Sequence, residues 1–202
     1  MSSRFILCLL LLLVGTGPAR PAAQANNDSR PFLYTVAQTY APLAWMQGAD
    51  RFSLGAMIFV RDENGERALV HGFAASADPA VSFDGHRVVF AGKARPQNPW
   101  QIWEVDLDSR KPRRISAGNE DCIRPFYLPD DIAVYACKSA GKFTVLSSPL
   151  SGGNPLALTY GPANFLPTDV LRDGRILFEA GYPLGTENTP ELYTVYSDGS
   201  GV

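Results

Sequence analysis

The sequence predicts an all-β chain assembled from four-stranded antiparallel units, and three observations predict it. Gly and Pro are abundant, 18 and 16 in 202 residues; inside a helix they cost about 1 and about 3 kcal/mol relative to Ala, which disfavours long helices. Apolar and polar residues alternate over short stretches that break at Asp-Gly-type turns, the pattern of hairpins. Finally, two separate half-motifs recur with one period along the chain.

The first half-motif is an apolar stretch, a turn aspartate and a second apolar stretch. It runs over 79–90 (PAVSFDGHRVVF), 126–135 (FYLPDDIAVY) and 168–178 (TDVLRDGRILF), and its turn aspartates Asp84, Asp130 and Asp173 lie 46 and 43 residues apart. The second runs over 102–108 (IWEVDLD), 145–153 (VLSSPLSGG) and 192–199 (LYTVYSDG), stepping by 43 and 47 from Asp108 to Ser151 to Asp198. Upstream, 58–65 (IFVRDENG) followed by Arg67–Val70 repeats it, with Asp62 lying 46 before Asp108. Each unit therefore reads as strand, tight turn, strand, loop, strand, polar turn, strand. One such sheet cannot cover both of its faces, and stacking successive sheets around an axis is the β-propeller solution. The expected units are 57–72, 79–116, 124–159 and 167–202, about three and a half blades of an incomplete ring.

The stretch from Pro79 to Ser116 combines Pro-x-x-Ser-x-Asp-Gly, Val88-Val89-Phe90, Ile102 to Asp108 and Pro112-Arg113-Arg114-Ile115-Ser116. It resembles the TolB-type (WD40-like) β-propeller repeat of exported bacterial proteins, and the resemblance extends from about Met57 to the end. The third unit departs from it, with Asp131 at the turn glycine and Ser151-Gly152-Gly153 at the Asp-x-Asp turn. The resemblance implies that the first strand of each unit lies nearest the axis, with Val81, Tyr127 and Val170 close to it. Trp103, Leu146 and Tyr193 then sit in third strands between blades. It also implies that the chain is an N-terminal piece of a larger propeller.

Residues 1–25 read as a secretory leader: Arg4 is the positive start, Phe5 to Val14 is an unbroken apolar run, and Ala23-Gln24-Ala25 fits cleavage. That run is too short to span a bilayer, which takes about twenty residues. Cleavage removes Arg4 and Arg20 and leaves 16 basic against 20 acidic side chains. The balance argues against nucleic acid or an anionic membrane as main partner. A soluble periplasmic or secreted product without membrane insertion is expected. In the segment 26–56, Pro31 to Val36 is a strand that could complete a blade, and the rest to Gly55 has no assigned structure.

No catalytic motif is present: there is no Gly-x-Ser-x-Gly elbow, phosphate-cradling Gly loop or Cys-x-x-Cys-His site. His71 and His86 lack ligand-spaced partners, so no metal or cofactor is expected. Asp84-Gly85, Asp130 and Asp173-Gly174 recur at the repeat period and read as turn formers whose short carboxylates accept backbone N–H bonds. Asp62 with Asn64, and Asp106 with Asp108, lack the spacing of a calcium loop and read as solvated turns; Arg113-Arg114 reads as a solvated edge. Cys122 and Cys137 flank the turn at Pro129-Asp130 in an oxidising compartment. A two-residue turn would set them opposite and allow a disulfide; a three-residue turn would offset them by one, and two unpaired buried cysteines is the competing reading. Two function classes follow. One is an exported non-catalytic scaffold binding a protein or small ligand through rim loops or the channel mouth. The other is the propeller part of a larger enzyme, a prolyl-oligopeptidase-like peptidase or a haem- or sugar-processing enzyme, with its catalytic residues beyond Val202. An open ring would also present a flat apolar sheet face and a free strand edge, which predicts self-association.

Overall fold

The computed structural model describes residues 30–182 and 189–201; the expected leader lies outside them. Four antiparallel meander sheets follow one another along the chain. The first holds β1 (Phe32–Val36), β2 (Met57–Asp62) and β3 (Gly65–Ala68). The second holds β4 (Ala75–Val81), β5 (Arg87–Lys93), β6 (Gln101–Asp106) and β7 (Pro112–Arg114). The third holds β8 (Cys122–Leu128), β9 (Ile132–Ser139), β10 (Lys142–Pro149) and β11 (Leu156–Ala157), and the fourth β12 (Asn164–Val170), β13 (Ile176–Gly181) and β14 (Glu191–Val195). Among the described residues there is no α-helix, only a 3-10 turn at Ala44–Gln47.

Register shows how the sheets correspond. The pairs Tyr34–Phe59, Phe90–Trp103, Tyr135–Leu146 and Phe178–Tyr193 hold the same place in the four sheets. β1 is therefore a second strand, β2 a third and β3 a fourth. In the first three sheets the third strand is fixed the same way to the residues that follow the fourth. The carbonyls of Ile58, Ile102 and Val145 accept N–H bonds from Leu69, Ile115 and Leu158 at 2.8 Å. The N–H groups of Ile102 and Val145 donate to the hydroxyls of Ser116 and Thr159, the next residues along. In the first sheet Val70 stands at that position, and Ser76 of β4 supplies the hydroxyl for Ile58 N–H.

Apolar faces meet between sheets. Ile58, Val60, Leu69, Val88 and Phe90 fill the space between the first and second; Leu128, Val134, Val145, Ile176 and Phe178 fill that between the third and fourth. Each such side chain contributes about 1.5–3 kcal/mol on burial, and no single sheet could do this alone.

The first strands begin before the expected bounds, at Ala75, Cys122 and Asn164, and each carries a bulge. In β4 and β8 the extra residue is Asp78 (φ 53°) or Arg124 (φ 55°), each followed by a proline. In β12 Pro167 occupies the matching position and cannot take positive φ, so the bulge there is of another kind.

Segment 37–55 leaves β1 as a finger closed on itself by the Tyr40–Phe52 bridge. It crosses the inner strands on their halves away from the Asp-Gly turns. Arg51 binds Asp78 in the second sheet at 2.8 Å, and Asp50 pairs with Lys93. The Gly48 carbonyl accepts from Lys138 of the third sheet. At the tip the Met46 carbonyl accepts from Asn164 of the fourth, whose side-chain oxygen also takes the Phe143 N–H. Trp45 and Met46 join a core cluster that includes Ala77, Ile123 and Leu166 of three successive inner strands. At Gly181 a Cβ would stand 2.7 Å from the Met46 side chain, so glycine admits the tip.

Candidate binding rim

With the finger over one end of the inner strands, the other end carries the turns joining first to second strands. Asp84 accepts the His86 N–H at 3.0 Å and the Ser82 hydroxyl, and the Ser82 bond holds its carboxyl below the ordinary range. Asp173 accepts the Arg175 backbone N–H and its guanidinium; the backbone bond comes first among the causes lowering its pKa. Gly85 and Gly174 supply positive φ beside them, at 78° and 84°. Asp130 departs from the expected role. Its carboxylate takes no turn bond among the described residues, and the turn instead uses the left-handed backbone of Asp130 and Asp131, φ 61° and 55°. Two consecutive left-handed residues tighten the reversal without glycine, a conformation aspartate tolerates.

That turn has three residues, since Leu128 faces Ile132. Alone it would offset the cysteines, but the bulge at Arg124 shifts the register back by one. Cys122 then faces Cys137 with Cα atoms 4.0 Å apart and the sulfurs bonded.

Between the second and third sheets a charged node backs the rim. Glu104, buried on β6, accepts from the Tyr127 hydroxyl at 3.0 Å, from Arg87 at 3.4 Å and from Arg113. Arg87 also donates to Asp131 at 2.9 Å and lies over the Tyr127 ring. Burial, and then the Glu104 charge, push the Tyr127 hydroxyl well above its usual range. Arg113 is thus not a purely solvated edge: it also donates to the Leu150 carbonyl of the next sheet at 2.6 Å. The expectations above missed this node, although strand alternation carries its signal. Glu104 lies two residues from Ile102, hence on the same buried face, where a carboxylate requires partners.

Two depressions open on this rim. One of about 530 Å³ lies between the first and second sheets, against Phe32, Leu33, Val81 and Gly85. The other, about 260 Å³, lies between the Asp84 and Asp130 turns above Tyr127. Phe83 projects beside it and is 74% exposed. Asp62 and Asp106 accept N–H groups within their own turns, from Asn64 and from Asp108 and Ser109. His71 and His86 are exposed. Among the described residues no group of three His, Cys, Asp or Glu gathers at metal-binding distance. No helix there is long and apolar enough to cross a membrane.

No protein-family model matches the chain, and no curated relative is found. Solved structures do resemble it. Hydrazine synthase of Kuenenia stuttgartiensis matches over 85% of this chain with a TM-score of 0.69 and 17% identity. TolB of Acinetobacter baumannii matches over 73% with a TM-score of 0.58 and 16% identity. A puromycin-hydrolyzing peptidase of Mycobacterium tuberculosis matches over 69% with a TM-score of 0.56 and 21% identity. The chain spans 31%, 36% and 24% of these proteins' own lengths. At such identities the likeness bears on fold alone, and with the four meander sheets it establishes that this chain is built as consecutive blades of a β-propeller, the fold that TolB shares.

Proposed function

We propose that this chain is an exported, non-catalytic propeller scaffold that binds a protein or small ligand through its Asp-Gly rim. One observation carries the reading: the finger 37–55 occupies the far end of the inner strands, while the rim presents two open depressions with Phe83 standing between solvent and the second. An exposed aromatic beside a groove is the kind of anchor binding surfaces use. Export is supported by the leader-like first 25 residues and by the bonded cysteine pair, which suits an oxidising compartment. The second reading, the propeller portion of a larger enzyme, draws on the likeness to a synthase and a peptidase of which the chain spans 31% and 24%.

Site-specific photo-crosslinking in exporting cells tests the scaffold. A crosslinker at position 83 should trap a partner, and one at position 156, also exposed but on an outer strand, should not. Equal trapping at both positions, or none at 83, would overturn the reading.

A further inference from the structure

We infer that Asn64 is a self-modification site, whose side-chain amide is lost to attack by the Gly65 main-chain nitrogen, leaving aspartate or isoaspartate on the rim. Asn64-Gly65 is the one Asn-Gly pair in the sequence. It lies in the turn joining β2 to β3, where Asp62 faces Gly65 across the hairpin, and Asn64 shares a rim depression with Gly85. The Asp62 carboxylate accepts the Asn64 backbone N–H at 2.8 Å and pairs with Arg67, which fixes the turn. The Asn64 carboxamide makes no hydrogen bond among the described residues, and the residue is exposed. Gly65 takes φ 104°, and a Cβ built on it would meet nothing within 4 Å. The attacking nitrogen thus belongs to a residue with no side chain and with open space on that side.

The reaction needs only water. The Gly65 nitrogen forms a bond to Asn64 Cγ and closes a succinimide ring; the Cγ–Nδ2 bond breaks, and the amide nitrogen leaves as ammonia carrying the Gly65 proton. Water then opens the ring, at Cγ to give aspartate or at the main-chain carbonyl to give isoaspartate. Either product places a new carboxylate beside Asp62 and Glu63. The other asparagines among the described residues each lack a requirement. Asn98 and Asn154 precede prolines, whose nitrogen carries no proton to lose. Asn164 is buried, with its oxygen accepting the Phe143 N–H and its NH2 donating to the Met46 carbonyl. Asn119 precedes Glu120, whose side chain crowds the attacking nitrogen. Asp84, Asp173 and Asp198 do precede glycine, but bonds from the Ser82 hydroxyl and from the Arg175 and Ser200 backbone N–H groups hold their carboxyls ionised. An ionised carboxylate repels a nucleophile and has no neutral group to expel.

The test ages a folded protein of residues 26–202 in warm, mildly alkaline buffer and follows tryptic peptides 62–67 and 115–124, each with a single asparagine, by mass spectrometry after reduction. Peptide 62–67 should gain the mass of an acid replacing an amide at least about tenfold faster than 115–124, a barrier difference of about 1.4 kcal/mol. It should split into two chromatographic forms, aspartyl and isoaspartyl. Mildly acidic buffer should slow the conversion, because the Gly65 nitrogen must give up its proton to attack. Asn64→Gln, whose longer side chain would have to close a larger ring, should leave the circular dichroism spectrum intact and abolish the mass gain. Peptide 62–67 that keeps its amide in the folded protein, whether or not a urea-unfolded sample converts, would overturn the inference. Conversion no faster than in 115–124, or a gain that persists in Asn64→Gln, would overturn it equally.

Discussion

Replacing Glu104 should loosen the second blade from the third, and the structure sets the size of the effect. The carboxylate is the acceptor for the buried Tyr127 hydroxyl; deleting it strands that hydroxyl, at about 1–3 kcal/mol. Arg87 and Arg113 lose the same partner, but their side chains are 31% and 51% exposed and recover water, so each adds at most about 1 kcal/mol. Glu104→Ala is therefore expected to cost about 2–4 kcal/mol, or about 5–15 °C in Tm for a chain of this size. Glu104→Gln keeps an acceptor for Tyr127 and loses only the charge, so it should cost about 1 kcal/mol; Tyr127→Phe should cost about the same. Urea unfolding of the three single variants and the Glu104→Gln/Tyr127→Phe double variant gives both the losses and the coupling between the two groups. A Glu104→Ala variant within about 0.5 kcal/mol of the parent would refute the claim that this node joins the blades.

Other outcomes follow from the same geometry. The Cys122–Cys137 bond closes a separation of 15 residues, so reduction or Cys122→Ser/Cys137→Ser should lower stability by about 3 kcal/mol, and a protein of residues 26–202 should show no free thiol; two titratable thiols would contradict the pairing. Asp84 and Asp173 have carboxyls lowered by turn bonds made in the folded state. Their contribution is present above the unfolded pKa of about 4 and disappears as pH falls through the lower folded value, so Tm should hold from neutrality to about pH 5 and drop below about pH 4. Asp84→Asn/Asp173→Asn should flatten that drop, and an unchanged acid profile would deny the turn bonds their role. Phe32 and Val36 are about half exposed, whereas their counterparts Val88 and Ala180 are buried against a preceding blade. A protein of residues 26–202 alone should therefore self-associate through this face, and Phe32→Lys/Val36→Lys should reduce it; sedimentation of the parent as a monomer at high concentration would contradict this.

Local patterns made most of the blades readable. The turn aspartates and the strand alternation around Ile102 and Val145 are short-range features, and they marked the hairpins correctly. Long-range features left weaker traces. Toward its tip the finger is held through the carbonyls of Met46 and Gly48, which any residue carries, and their partners Asn164 and Lys138 lie 118 and 90 residues away. The cysteine register depended on two features acting in opposite directions, the three-residue turn and the bulge at Arg124, and neither follows from residue spacing. Asp130 shows how a shared residue type can hide a different conformation: it holds the place of Asp84 and Asp173 in the repeat, but contributes its backbone instead of its carboxylate.

The central claim is that one end of the inner strands is covered by the finger while the Asp-Gly rim stays open, and residue-level hydrogen exchange of residues 26–202 tests it directly. Gly48 and Ala49 donate to the Trp45 and Ala44 carbonyls inside the finger, whose tip is buried. Their amides should exchange as slowly as those of β5 and β9, while the amides of Phe83, Asp84, Asp130, Asp131, Arg172 and Asp173 exchange fast. Finger amides that exchange as quickly as the rim turns would contradict the account, because neither end of the inner strands would then be singled out for binding.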